Sequence, residues 1–525
     1  TRLSGIPIEQ VERIEIYRGS GNVLYGEGAS AGVIQIITRA SAGRASKQSS
    51  GSASVSVGSW GAQEFRLNAS KGFDALDLNA SVVDARSDGY REHSRHQSTS
   101  GQLGLKGWGS NWRWGLNVAA EDVQARTPGA LTLAQFQINP RQAQPDSLTN
   151  DTRMMLRTER YAAFAETWIN DVSIRVDVAH RNRYYDAVAV LYGSRTPLTF
   201  DTQSDYLGLS ARKNLNIGQT ETSWMAGFEV SEWQQSRVYP TQPSWGTVSL
   251  DSSTRAFYVR SDTDFKAADV RLSLGWREEL FKKNQLFTGT KTSFDETLHA
   301  WDMGLSKSLN REQAVYLRYA KSYRVPNLDE FTTPVYDLDW NPIKLVPQTD
   351  RTSELGWKYN DGLRNTVGVR MYRTRLSNEI VYDPSQYGNI NLPATQRQGL
   401  DVHGTYAPAQ HITLMASIGW RQSTIEYGSN AGNYIPMAAR QVASLRADWT
   451  PAPGHMVGMG WMYVGSQFIS GDFGNAQSMP GYALVDLRYS YRMASWDLSA
   501  TVRNLADKTY YSYATTTGGY SVYPD

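Results

Sequence analysis

The residues with chemical potential are few and scattered. His93 and His96 stand as His-x-x-His, a spacing that could hold a bare metal ion. No carboxylate cluster accompanies them, so a solvated loop is the better reading. Gly19, Gly21, Gly26, Gly28 and Gly32 form a glycine-rich run. Their spacing fits neither a Walker-type loop nor a dinucleotide fingerprint, and no lysine stands at the required place, so they predict tight turns. No Ser/His/Asp array, carboxylate pair or metalloprotease helix is found, and the chain is not read as an enzyme. Cysteine is absent, which excludes disulfide frameworks, thiolate metal sites and cysteine nucleophiles.

The more productive set is aromatic. Tyr90, Trp245, Tyr336, Trp340, Tyr387, Tyr434, Phe473, Tyr513 and Tyr520 all fall in long connections between strand candidates. Ring faces and phenol donors suit a flat, partly apolar chelate, and nearby arginines attract an anionic one. A share of these rings is expected instead in a girdle at a membrane surface.

These residues must be positioned by β-structure. Val485, Leu487, Tyr489 and Tyr491 alternate with Asp486, Arg488 and Ser490. Leu272 and Leu274 alternate with Arg271 and Ser273, and Val176 and Val178 flank Asp177. Period-two patterning of this kind, apolar outside and polar inside, suits a barrel with lipid around it and water within. Short turns are expected at Gly109–Asn111, Asn170–Asp171, Asn310–Arg311, Asp361–Gly362, Pro408–Gln410 and Ala494–Ser495, with Asp361–Gly362 as a two-residue hairpin. Every second connection is expected to be long: 86–97, 126–150, 186–199, 237–252, 282–291, 324–350, 377–393, 425–438 and 467–481. Hairpins trimmed at one end and elaborated at the other are a transmembrane-barrel signature, which a soluble sandwich or propeller does not share. Counting from Gly51 to Asn504 gives about 21 strands, against the even number of bacterial single-chain barrels.

Composition agrees. The 525 residues are 20% charged and 11% aromatic, with 30 tyrosines against 14 phenylalanines. No run approaches the roughly 20 apolar residues of a membrane-spanning helix. A net charge of +2, without basic blocks, argues against nucleic acid as a partner.

Residues 1–45 have another texture: strand candidates at Ile14–Tyr17 and Val33–Ile37, a glycine turn from Gly19 to Gly32, and a small, polar linker from Ser41. Here Ile6-Pro7-Ile8-Glu9-Gln10-Val11-Glu12-Arg13-Ile14-Glu15-Ile16-Tyr17-Arg18-Gly19, Leu24-Tyr25-Gly26 and Gly32-Val33-Ile34 resemble the closing segment of a TonB-dependent receptor plug. Ser322-Tyr323-Arg324-Val325-Pro326-Asn327-Leu328-Asp329-Glu330 resembles that family's aromatic-Arg-x-Pro box. Val346-Pro347-Gln348-Thr349 with Ser353-Glu354-Leu355-Gly356 resembles its following strand, and Arg503–Tyr511 resembles a strand-end signature near its C-terminus.

The resemblance implies an all-β fold, a 22-stranded antiparallel transmembrane β-barrel with a plug inside it. Residues 1–45 would be the C-terminal part of the plug and its linker, and 46–525 the barrel, ending before the final strand. It implies that Arg18 meets the barrel carboxylate Glu354, with Glu330 as a second candidate. It also implies a place in the outer membrane of a Gram-negative bacterium, among its lipid, and active import of a metal chelate driven by the inner-membrane TonB complex. The segment that contacts TonB is not in this sequence, and the fragment as it stands is not expected to transport. A ferric siderophore is the expected cargo, with no resident cofactor. Cobalamin and haem are the rivals, haem disfavoured because no histidine lies between His299 and His403. A passive porin-like channel is disfavoured by residues 1–40.

Overall fold

The computed structural model describes residues 11–38, 49–191, 193–241, 247–287, 289–327, 330, 335, 343–516 and 520–524. Among these, twenty-one strands follow one another round a single antiparallel barrel, each paired with its sequence neighbour in the wall. The first, Ser49–Val57, and the last, Trp496–Val502, meet at its seam and are exposed along their full length.

The alternation read from the sequence is what the wall uses. Val176 faces Leu209 across the ladder, and Val178 faces Leu207. The same outward face carries Val230 opposite Leu207 and Phe228 opposite Leu209. All six side chains except Val230 are among the large apolar groups left exposed. Such a continuous apolar band is at home only against lipid. Trp112 and Trp224 edge the band towards the short-turn end, and Tyr161 and Tyr184 edge it towards the other.

The short turns are built for their conformation. Asn170 and Asp171 both take positive φ, 48° and 66°, as a two-residue hairpin requires. Asp361–Gly362 differs from expectation. Strands end at Asn360 and resume at Thr366, so the connection has five residues. The Asp361 carboxylate accepts backbone N–H bonds from Leu363, Arg364 and Asn365, and this cap favours the longer turn.

Two expected long loops are also corrected. The 186–199 region lies within strands Val172–Leu191 and Ser194–Ile217, and 282–291 lies within Val270–Phe287 and Thr290–Ser308. These strands far exceed the roughly 9–11 residues needed to cross a bilayer. Their ladders continue past the lipid because cross-strand pairs hold them, among them Tyr185 stacked on Phe200 with centroids 5.4 Å apart.

Inside the barrel lies a small unit. Strand β1 (Val11–Arg18) pairs antiparallel with β2 (Gly32–Thr38), and a one-turn helix α1 (Asn22–Tyr25) occupies the connection. Gly19 and Gly21 donate backbone bonds to Ala31 and Ala29, which folds the connection back on itself. The Ile6–Gln10 part of the plug-like motif lies outside the described residues.

Candidate functional site: the plug against the barrel wall

The tip of the plug is held by one apolar contact and a surrounding shell of polar ones. Val23 of α1 packs with Phe281, Phe294, Ala300, Tyr323 and Val325 of the wall, with Leu24 and Leu298 at the margin. Beside it Asn22, fully buried, donates from Nδ2 to the Tyr323 carbonyl oxygen at 2.7 Å. A side chain on Gly275 would meet Val23 at 2.9 Å and Asp302 at 2.4 Å, so glycine is what lets the helix approach the wall.

The polar shell has three parts. The Tyr323 hydroxyl donates to Glu279 Oε2 at 2.5 Å, and Arg277 bridges Glu279 (2.8 Å) and Glu229 (2.7 Å) beneath Gly26. Asp302 takes Arg260 at 3.3 Å and Arg318 at 3.2 Å, and Arg318 also donates to the Ser20 carbonyl of the plug. Lys283 reaches Glu27 Oε1 at 3.5 Å and donates to the Pro326 carbonyl at 2.7 Å. Burial pushes the Glu27 carboxyl up to about 7, against the opposing pull of Lys283. Ionic contacts of this kind hold position while contributing little net stability.

Arg18 and Glu354 do not form the expected pair. Arg18 Nη1 lies 3.1 Å from His403 Nδ1, and Glu354 Oε1 accepts from Arg370 Nη2 at 2.8 Å. The physical reason is space. Gly19 is pressed so closely on Glu354 that a Cβ there would lie 2.0 Å from Oε1, and the same oxygen is already taken by the Arg370 guanidinium. Glu330 bonds the Arg324 side chain and the Asn327 backbone N–H, both on the barrel, and so steadies the root of the 325–347 connection. Between β1 and the wall lies a cavity of about 1000 Å³ where the charged groups of Arg18, Arg260, Arg318, Glu354, Arg370 and His403 stand among apolar and aromatic side chains.

The loop aromatics are distributed differently from the sequence reading. Tyr90 packs edge-on to Trp60, with the Arg141 guanidinium 4.3 Å from the Trp60 ring. Tyr434 stacks on Phe468, and Arg440 lies over its ring at 5.0 Å. Phe473 packs on the buried cluster Leu392, Ile425 and Ile435. The Tyr520 hydroxyl donates to the Ser478 carbonyl, and its ring flanks a second cluster of Leu131, Ile469, Met479, Tyr511, Ala514 and Val522. Five connections are thus joined into two apolar clusters at the long-loop end. Tyr387 stands apart at 71% exposure in a hairpin turn, and Tyr513 is 40% exposed against Tyr523. Trp245, Tyr336 and Trp340 lie outside the described residues. His93 Nε2 lies 2.9 Å from the Thr152 carbonyl oxygen.

Sequence reasoning missed Asn22, Val23, Glu27, Lys283, Arg318 and Asp302. The Asn-Val-Leu-Tyr helix inside a glycine-rich turn was the available signal, since two apolar residues there need a partner. Tyr323 stood inside a recognised motif without a role.

A polar-lined barrel with a small unit seated inside it on an ionic shell defines a plugged transmembrane-barrel architecture. Residues 44–505 match the family model described as TonB dependent receptor-like, beta-barrel, and residues 1–33 match the TonB-dependent Receptor Plug Domain. The chain belongs to the TonB-dependent receptors, a family of outer-membrane β-barrel proteins of Gram-negative bacteria. A Vitamin B12 transporter, BtuB, of Vibrio cholerae is 23% identical over 96% of this chain and 77% of its own length. The probable TonB-dependent siderophore receptor PiuA of Acinetobacter baumannii is 24% identical over 46% of this chain, and the match spans only 35% of that relative. Among solved structures, the unliganded ferric citrate transporter FecA superposes with a TM-score of 0.84 at 17% identity, covering 99% of this chain and 83% of that one. The closed form of the ferric-catecholate import receptor Fiu from E. coli K12 gives 0.82 at 17% identity, covering 98% and 85%.

Proposed function

We propose that this chain is the barrel and plug tip of an outer-membrane receptor that imports a ferric siderophore with energy from the inner-membrane TonB complex. The carrying observation is the seating of the plug: a small apolar contact, Val23 with Leu24 at its margin, inside a shell of ion pairs and hydrogen bonds to the wall. That arrangement closes the lumen at rest and yields to a pull along the chain. Loops tied into apolar clusters at the far end form a stable rim, and the exposed rings of Tyr387 and Tyr513 are the candidates there for touching cargo. Siderophore-receptor names among its relatives support the ligand class. The protein supplies binding and gating and does no chemistry on the cargo.

A second reading is supported by the near full-length match to a vitamin B12 transporter. One experiment separates them. The full-length receptor is titrated with ferric catecholate, hydroxamate and carboxylate siderophores, cobalamin and haem, by tryptophan quenching. Saturable binding of one ferric siderophore is expected. Binding of cobalamin or haem alone would keep the receptor and remove the siderophore. Planar-bilayer recordings should show a closed conduit, and an open pore would remove the gated reading altogether.

A further inference from the structure

The outward face of the wall carries a charged row that the plug cannot reach. Glu354 meets the plug at Gly19, and Arg370 bonds Glu354, so both point into the lumen. Alternation therefore turns Arg351, Leu355, Met371 and Arg375 towards the membrane. Leu317, Leu355, Met371, Leu400 and Trp420 are successive ladder partners, and all but Leu400 are large apolar groups left exposed, as lipid-facing groups are. Four residues nearer the long-connection end, Lys321, Arg351 and Arg375 are likewise direct partners, with Trp301 before them and Gln396 after. Arg373 stands on the same face between the two rows. Four residues are about 13 Å of strand, which carries the cations from the apolar band to headgroup level. Trp301 and Tyr319, packed edge-on with centroids 5.1 Å apart, mark the aromatic belt there.

Like charges directly opposed across a ladder are destabilising, with Cβ atoms only about 4.5–5.5 Å apart. Here three stand in line on adjacent strands. Among the described residues none of Lys321, Arg351, Arg373 and Arg375 has an acidic partner within ion-pair distance, and Arg373 donates to Gln396 Oε1 at 2.7 Å. Elsewhere the outward face neutralises its arginines, as Asp122 does Arg157 at 2.9 Å. The plug lies on the other side of the wall, and the seam between Ser49–Val57 and Trp496–Val502 is several strands away, so neither adjoins the row. Beyond the cations the face continues in amides, with Gln398 Nε2 donating to Gln422 Oε1 at 3.0 Å.

We infer that Lys321, Arg351, Arg373 and Arg375 form a site for the phosphate groups of a glycolipid headgroup in the leaflet on the long-connection side. Phosphates relieve the repulsion along the row and accept the guanidinium donors in pairs. With strands about 4.8 Å apart, the row spans about 10 Å, enough for more than one phosphate. The glutamines beside it match sugar hydroxyls, and the exposed leucines below it match the acyl chains, which a free phosphate ion would leave unused. The site rests on the outer-membrane placement proposed above and is independent of the cargo.

The test titrates the full-length receptor, in an uncharged detergent, with diphosphoryl lipid A, the same lipid stripped of its phosphates, and inorganic phosphate. Saturable binding of the diphosphoryl lipid is expected, at least tenfold tighter than that of the stripped lipid and weakened by salt. In K321Q/R351Q/R373Q/R375Q the affinity should fall more than tenfold, while R157Q, on the same face but paired with Asp122, should match the parent. Heat-modifiable gel mobility should confirm that the quadruple variant keeps its barrel. R351Q alone, a milder change, should still lose affinity at least threefold. Equal affinity of parent and variants for the diphosphoryl lipid would overturn the site, as would equal affinity of the parent for the phosphorylated and stripped lipids. Phosphate bound at millimolar concentration without any lipid binding would replace the glycolipid by a free anion. Siderophore binding by the parent is scored separately. Lipid binding through these cations in a receptor that takes no siderophore would leave the site standing and remove the import reading.

Discussion

Lys283 Nζ on the barrel wall lies 3.5 Å from Glu27 Oε1 of the plug and 2.7 Å from the carbonyl oxygen of Pro326. One ammonium thus joins the plug tip to the root of the 325–347 connection. Burial raises the Glu27 carboxyl from 4.5 to about 7 in the seated state. An acid raised on seating carries no penalty below its free value, where both states are protonated. The penalty grows as pH rises through the interval and is complete above about 7.

The seated plug should therefore loosen from about pH 5 to pH 8. Hydrogen exchange of the Asn22–Tyr25 amides, corrected for intrinsic rates, should show an opening equilibrium that rises by up to roughly tenfold per pH unit in that interval. Glu27→Gln should flatten the profile. An identical slope in the variant would show that another group is responsible.

Gly19 and Arg18 are neighbours with opposite expected sensitivities. Gly19→Ala places a Cβ 2.0 Å from Glu354 Oε1 at a φ of +81°, which costs about 1–2 kcal/mol in backbone conformation before the clash is counted. Arg18→Ala removes an exposed side chain and one hydrogen bond, at about 1 kcal/mol or less. In planar bilayers the urea concentration that opens the conduit should fall sharply for the first and little for the second. A larger effect from Arg18 would restore it as the main anchor.

The single apolar contact of the plug tip gives a third prediction. Val23→Ala removes buried methyl groups against Phe281 and Tyr323, and should weaken seating by about 1–3 kcal/mol. Asn22→Ala should cost about 1–2 kcal/mol by removing the bond to the Tyr323 carbonyl. The same conductance assay reports both, while heat-modifiable mobility of the barrel should not move. A fall in barrel stability would show that plug and wall are one cooperative unit.

At the rim, Ile469 is fully buried among side chains from separate connections. Ile469→Ala should destabilise the cluster by about 2–5 kcal/mol and expose 465–481 to limited proteolysis. Cleavage at the parent's rate would mean that the loops hold together without that core.

The sequence by itself determined the wall. Period-two alternation, paired with turns that alternate between short and long, has one stable outcome beside lipid, because each strand must show apolar groups outward and satisfy every backbone group sideways. The strand count near twenty-one and the Asn170–Asp171 turn were legible for that reason. Lengths were less so: Val172–Leu191 and Ser194–Ile217 extend beyond the bilayer because they pair with each other, a cross-strand property that no single segment displays.

Only the tertiary structure decided who meets whom. Arg18 and Glu354 were both visible as charged residues in recognisable motifs, yet the Glu354 carboxylate is taken by Arg370 with the Gly19 backbone pressed against it. Tyr434, Phe473 and Tyr520 looked like free loop rings, and they are spent on joining loops whose proximity follows from the curvature of the barrel. Glu27 and Lys283 are 256 residues apart in the chain. Their meeting, and the shifted acid that results, exists only because the plug is folded back inside the wall that follows it.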